Sequence, residues 1–324
     1  MANHPLKAVG IVAGAAIGVV SAAYGAQKLI VKTITNSEVD FEFLASEQFV
    51  VTTKDEARLA VYRDGPRTTN QPTIIFLHGF ALCSPIWAHQ FELLRSKYDV
   101  VAIDLRGHGA STTGEEEISL DLMARDLREV ISYLEIKDFI LIGHSTGGVV
   151  SMAFLDKFQN EFEKNLFGLC LISTLAHPPY HHLEHFSQAL TGFSLTGKAF
   201  HILSDVPLVG FPMARLALGK KASNAVAEFV RRCVISTDRE VCVKTLQVLA
   251  DFNYINTLET VIAPSAVIVG TSDPVTPEKD ARIVAKALGV KELAMKDVGH
   301  CPMLESVEEF NEALLDFLEK ATSR

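Results

Sequence analysis

The chain has 324 residues, 48% of them hydrophobic and 21% charged, with 30 Lys and Arg against 39 Asp and Glu for a formal charge of -9. That length holds one large α/β unit with an insertion, or two average domains. The apolar content excludes disorder as the main state, and an acidic balance without a long Lys/Arg run argues against a nucleic-acid surface.

The first feature along the chain is VGIVAGAAIGVVSAAYGAQKLIV at 9–31, apolar except for Ser21, Tyr24, Gln27 and Lys28. As a helix it would be about 34 Å long, enough to cross a bilayer. Gly10, Gly14, Gly18, Ala22 and Ala26 would line one face with small side chains. A retained single-pass membrane anchor is the expectation for 1–35. A cleaved secretory signal and a helix packed on the domain that follows are the alternatives. Lys7, Lys28 and Lys32 flank the run too evenly to fix its orientation.

Next, 39–45 and 57–62 are expected as antiparallel edge strands. Short apolar runs follow at 72–79, 98–109, 138–145, 167–173, 264–273 and 290–300, separated by helical patterns near 119–135, 147–161, 278–287 and 305–320. Runs of Ile, Val and Leu without strict alternation suit strands covered on both faces, and the βαβ rhythm predicts a mostly parallel sheet flanked by helices. Residues 176–262 break that rhythm. A segment of that length needs secondary structure of its own, and a helical cap over the strand ends is expected, inserted into a core made of 36–175 and 263–324.

The strongest motif is Gly143-His144-Ser145-Thr146-Gly147, directly after the apolar run FILI and before a helical stretch. It is a G-x-S-x-G nucleophile elbow in the strand–turn–helix context that such an elbow requires. A serine needs a base and an orienting acid to act at neutral pH, in the chain order Ser, Asp or Glu, His. Asp273 ends the strand SAVIVGTSD, and His300 ends the next strand and loop in VGHCPMLE. Ser145, Asp273 and His300 are therefore the expected catalytic triad, with Asp297 as a weaker alternative acid. The N–H of Thr146 and that of Phe80, in His78-Gly79-Phe80-Ala81, are the expected oxyanion donors. His144 is expected to order the elbow rather than act as base.

Taken together, HGF at 78–80, DLRGHGAS at 104–111, GHSTGG at 143–148, GTSDPVTP at 270–277 and GHCPMLE at 299–305 resemble the α/β-hydrolase superfamily in its capped group of serine esterases and lipases. The resemblance spans roughly 50–320. It implies an eight-stranded, mostly parallel sheet and the roles given above for Ser145, Asp273, His300, Phe80 and Thr146. Serine at the elbow places the chain outside the members that use aspartate there, the epoxide hydrolases and haloalkane dehalogenases.

The expected activity is hydrolysis of an apolar or lipid-like carboxylic ester through an acyl-enzyme, without metal or cofactor. Acyl transfer, carbon–carbon bond hydrolysis and perhydrolysis on the same triad are the alternatives, and a non-enzymatic ligand-binding protein is the reading from another class. A small-molecule or lipid ester and the membrane are the expected partners, nucleic acid is not, and secretion is the alternative location.

Three further features complete the reading. Asp104, Arg106 and His108 are expected to organise their loop rather than do chemistry. His181 and His185 have a spacing compatible with metal ligation on a helix, but cap-edge side chains are preferred. Of the five cysteines, Cys170 reads as core, and Cys233 and Cys242 are a candidate disulfide in an oxidising compartment or else two free thiols.

Overall fold

A computed structural model of the chain describes residues 45–67, 70–178 and 201–323, together with residues 25, 29, 43 and 199. Its frame is one eight-stranded sheet in the order β1-β2-β4-β3-β5-β6-β7-β8. The strands are β1 (Glu47–Thr52), β2 (Arg58–Asp64), β3 (Thr73–Leu77), β4 (Val100–Ile103), β5 (Phe139–His144), β6 (Leu166–Ile172), β7 (Ser265–Gly270) and β8 (Leu293–Met295). β2 runs antiparallel to both of its neighbours, β1 and β4. β3 to β8 are parallel throughout.

The absence of alternation in the central strands has the cause that the sequence suggested. Ile75, Leu77, Phe139 and Leu141 enter one apolar cluster. Their neighbours Ile74, Phe76, Ile140 and Ile142 enter the other, on the opposite face. Helix α1 (Ala88–Leu94) and the last helix, α10 (Val307–Thr322), pack on the second face through Phe91, Leu94, Phe310, Leu314 and Phe317. Helices α2 (Leu120–Tyr133), α3 (Thr146–Phe162) and α8 (Glu278–Ala287) cover the first. Burying both faces this way is what a parallel sheet requires.

Between β6 and β7 lies a helical insertion with α4 (Pro207–Leu216), α5 (Asn224–Ser236), α6 (Arg239–Val248) and the short α7 (Ile255–Glu259). Ser223 caps α5 by accepting from the Val226 N–H, and Asp238 caps α6 through the Glu240 and Val241 N–H groups. The Tyr254 N–H donates to the Ala176 carbonyl at 2.9 Å, closing the insertion near its base. A four-residue helix, α9 (Pro302–Glu305), precedes α10.

The first edge strand is β1 at Glu47–Thr52; of the edge strand expected at 39–45, Phe43 and Ala45 lie outside any strand and the other residues lie outside the described ones. The Phe43 ring packs edge-on against Tyr62 and Phe91. The leader at 9–31 lies outside the described residues except for Gly25 and Leu29, which are helical. Among the described residues no helix is long and apolar enough to cross a membrane.

Candidate active site

Ser145 sits between the end of β5 and the start of α3 with φ 50° and ψ -116°, a conformation that L-residues rarely adopt. Close packing enforces it. A Cβ on Gly147 would lie 2.3 Å from the Leu77 carbonyl oxygen, and one on Gly143 would lie 2.7 Å from that of Gly147. The Ser145 N–H donates to the Ile172 carbonyl at 2.9 Å, and the Thr174 hydroxyl donates to the Ser145 carbonyl at 2.7 Å. The hydroxyl itself hydrogen-bonds to no described residue, and Ser145 lines a cavity.

The structure brings Asp273 and His300 together. His300 Nδ1 lies 2.9 Å from Asp273 Oδ2. The same oxygen accepts from the Thr276 hydroxyl, while Oδ1 accepts from the Val275 and Thr276 N–H groups at 2.8 and 3.0 Å. Burial alone would raise the Asp273 carboxyl. The electrostatic pull of the His300 ring and these hydrogen bonds outweigh it and hold the group below the ordinary carboxylate value. A carboxylate facing Nδ1 fixes the proton on that nitrogen and leaves the Nε2 lone pair for proton transfer. Asp297, the alternative acid, lies 3.7 Å from the Lys220 ammonium instead.

Two residues without an assigned chemical role hold the His300 backbone. His144 Nε2 lies 2.8 Å from the His300 carbonyl oxygen, so this nitrogen carries the proton and donates. Burial, reinforced by the neighbouring His300, pushes His144 down to about 3, so its ring is neutral. Glu305 is buried, and its carboxylate accepts three backbone N–H groups. They belong to Gly299 and Cys301, on either side of His300, at 2.9 Å each, and to Gly219 of the insertion at 2.6 Å. The insertion also accepts the His300 N–H at the Ala217 carbonyl, 2.9 Å away. The sequence reading gave His144 an ordering role at the elbow but did not see its reach to His300, and it missed Glu305, present in the quoted GHCPMLE.

The N–H groups of Phe80 and Thr146 donate to no described residue, and both residues line the cavity beside Ser145. Thr146 is the first residue of α3, where an N–H has no partner within the helix and the dipole favours negative charge. The cavity measures about 300 Å³, and Val149, Leu175, Leu246, Leu249 and Phe252 make its walls apolar. Leu246 belongs to α6, and Leu249 and Phe252 to the chain that follows it, so the insertion supplies one side of the cavity.

The DLRGHG segment builds a buried network. Asp104 accepts from the Ser84 and Ala110 N–H groups at 2.7 and 2.9 Å, and Arg106 pairs with both Asp55 and Asp126. His181 and His185 lie outside the described residues, and among the described residues no cluster of three metal-binding side chains occurs. Cys233 and Cys242 are both free thiols, and the sulfur facing Cys233 is that of Cys83. Of the two readings for this pair, free thiols is the one found, with Cys233 on α5 and Cys242 on α6.

Comparison with known proteins follows the same lines. A family model described as the alpha/beta hydrolase family matches residues 74–313. A bifunctional esterase/perhydrolase from Acinetobacter calcoaceticus is 38% identical over 113 residues, which are 34% of this chain and 40% of that protein. The match thus spans less than half of that relative's length. An AB hydrolase superfamily protein from Bacillus subtilis is 23% identical, over 75% of this chain and 90% of its own. Among solved structures, an esterase from Thermogutta terrifontis superposes with a TM-score of 0.72 at 22% identity, covering 86% of this chain and 100% of that one. A bromoperoxidase from Bacillus anthracis gives the same TM-score of 0.72 at 18% identity, covering 84% and 100%. At such identities the structural likeness speaks for the fold alone. With the family match running from β3 into α10, the chain belongs to the alpha/beta hydrolase family.

Proposed function

We propose that the protein is a serine hydrolase that cleaves an apolar or lipid-like carboxylic ester through an acyl-enzyme on Ser145. The observation that carries this reading is the Asp273–His300 pair at 2.9 Å, combined with a strained Ser145 whose hydroxyl opens on an apolar cavity. His300 Nε2 takes the Ser145 proton as the oxygen attacks the carbonyl carbon. Asp273 holds the imidazolium that forms. The Phe80 and Thr146 N–H groups stabilise the oxyanion of the tetrahedral intermediate. His300 then protonates the leaving alcohol, takes a proton from water, and the resulting attack frees the acid. The apolar walls favour an acyl chain over a charged one.

The test is a series of p-nitrophenyl esters of increasing acyl length, with mass spectrometry of quenched samples. The reading expects turnover, and a mass increment equal to the acyl group on the peptide that contains Ser145. Turnover with the acyl group on another residue, or no turnover across the series, contradicts it. Perhydrolysis is the second reading, favoured by the similarity to the Acinetobacter calcoaceticus enzyme. There hydrogen peroxide replaces water at the acyl-enzyme, and peracid formation distinguishes the two.

The proposal includes the organisation of the chain: a leader at 1–35, a core at 36–175 and 263–324, and a cap at 176–262. The apolar run at 9–31 supports attachment of the leader to a membrane as a single-pass anchor. Full-length protein that stays with membranes after alkaline carbonate extraction is the expected result. Release into the supernatant contradicts the anchor, and a mature protein lacking the first residues supports the secreted alternative.

A further inference from the structure

Five thiols are present in the chain, and two of them face each other across the seam between core and insertion. Cys83 Sγ and Cys233 Sγ are 3.5 Å apart, although 150 residues separate them in sequence. Cys83 is at the N-cap of the short 3-10 turn Ser84–Trp87, three residues after Phe80. Cys233 is in the last turn of α5. Cys83 is half-buried, whereas the other four thiols are buried. The contact with Cys83, together with burial, keeps the Cys233 thiol well above its ordinary value and therefore protonated.

We propose that Cys83 and Cys233 are a peroxide-oxidised disulfide pair that ties the loop carrying Phe80 to helix α5 of the insertion. A disulfide spans about 2.05 Å, so the two sulfurs have to approach by about 1.5 Å. Side-chain rotation, with a small shift of the loop, covers that distance. Cys83 is the entry point because it is the accessible member. Its sulfur attacks one peroxide oxygen, the O–O bond breaks, and Cys83 becomes a sulfenic acid while water leaves. Cys233 sulfur then attacks the sulfenic sulfur. The S–O bond breaks, and the departing hydroxide takes the Cys233 proton and leaves as a second water. Two thiols and one hydrogen peroxide thus give one disulfide and two waters, and a dithiol reverses the step. Buried Cys301, within electrostatic reach of Cys233, is the competing thiol.

The experiment treats the full-length protein with stoichiometric hydrogen peroxide, alkylates free thiols, and maps peptides without reduction. The expected result is a linked peptide pair containing Cys83 and Cys233, two hydrogens lighter than its parts. Dithiothreitol should remove it, and Cys83→Ser should not form it. Oxidation of Cys83 to sulfinic acid with Cys233 still alkylatable would overturn the proposal, as would a link from either residue to Cys301 or Cys242. Because the decisive reading is made on the wild-type protein, it does not depend on the variant folding.

Discussion

The two turns that carry Ser145 and His300 stand face to face and are held by opposite means. At the elbow, position comes from exclusion: Gly143 and Gly147 leave no room for a side chain, and the backbone of Ser145 is forced to φ 50°. At the His300 loop, position comes from hydrogen bonds brought in from elsewhere. His144 takes the carbonyl, Ala217 takes the N–H, and Glu305 takes the N–H groups on both sides. Added volume should therefore damage the first turn, and lost polarity or charge the second, where Gly299 alone leaves no room for a side chain. The insertion belongs to the second arrangement, because Ala217 and Gly219 meet the loop backbone to backbone. A Cβ on Gly299 would lie 2.2 Å from the Gly219 nitrogen.

Asp273 holds the His300 ring through Nδ1, and its loss should have the largest effect. Asp273→Asn keeps the shape but removes the charge that fixes the His300 proton on Nδ1, so kcat should fall by about 10⁴-fold. Steady-state kinetics with a short-chain ester checks it, and a fall of less than tenfold would separate Asp273 from the chemistry. Gly147→Ala breaks the elbow by volume and should cost at least about 3 kcal/mol of stability, measured by urea unfolding. A neutral result would mean that the elbow is not held by exclusion.

Lowering the pH tests the neutral, buried histidines. Burial pushes His78 and His108 down to about 4, and His144 to about 3, against about 6.5 in an unfolded chain. Between those limits the unfolded state binds more protons than the folded one, so stability rises with pH there. It should be fully present above pH about 6.5 and fall as the pH drops toward 4, by up to about 3 kcal/mol for each histidine. Urea midpoints at several pH values read this directly. A midpoint that does not change between pH 6.5 and 4.5 would mean that these rings are not held neutral.

Glu305→Gln breaks the second turn by polarity. One acceptor oxygen becomes an NH2 group facing backbone donors, at a cost of about 2 kcal/mol in stability. Misplacing His300 should also lower kcat by about tenfold with KM little changed. Unchanged kcat would reduce Glu305 to a structural role. Leu246→Trp leaves both turns intact and fills part of the cavity. It should lower kcat/KM about tenfold for long acyl chains and leave acetate esters unaffected.

What the sequence made legible was local. GHSTGG specifies its elbow because the glycines and serine that make the turn fall within six consecutive residues. The strands containing FILI and SAVIVG identify themselves by unbroken apolar runs, which end in Ser145 and Asp273. What escaped was carried by contacts distant in sequence. His144 reaches His300 across 156 residues, and Gly219 reaches Glu305 across 86. No local spacing encodes either. Cys233 and Cys242, nine residues apart, are free thiols, while Cys83 and Cys233 meet across 150 residues. Phe43, ahead of the first strand, packs on the rings of Tyr62 and Phe91, partners distant in sequence.

The central claim is that Ser145 is an activated nucleophile, and covalent labelling tests it most directly. The full-length protein and its Ser145→Ala variant would be treated with a fluorescent fluorophosphonate in the presence of detergent. The account predicts labelling of the wild type and none of the variant. A folded wild type that stays unlabelled, or a variant labelled as strongly as the wild type, would contradict it.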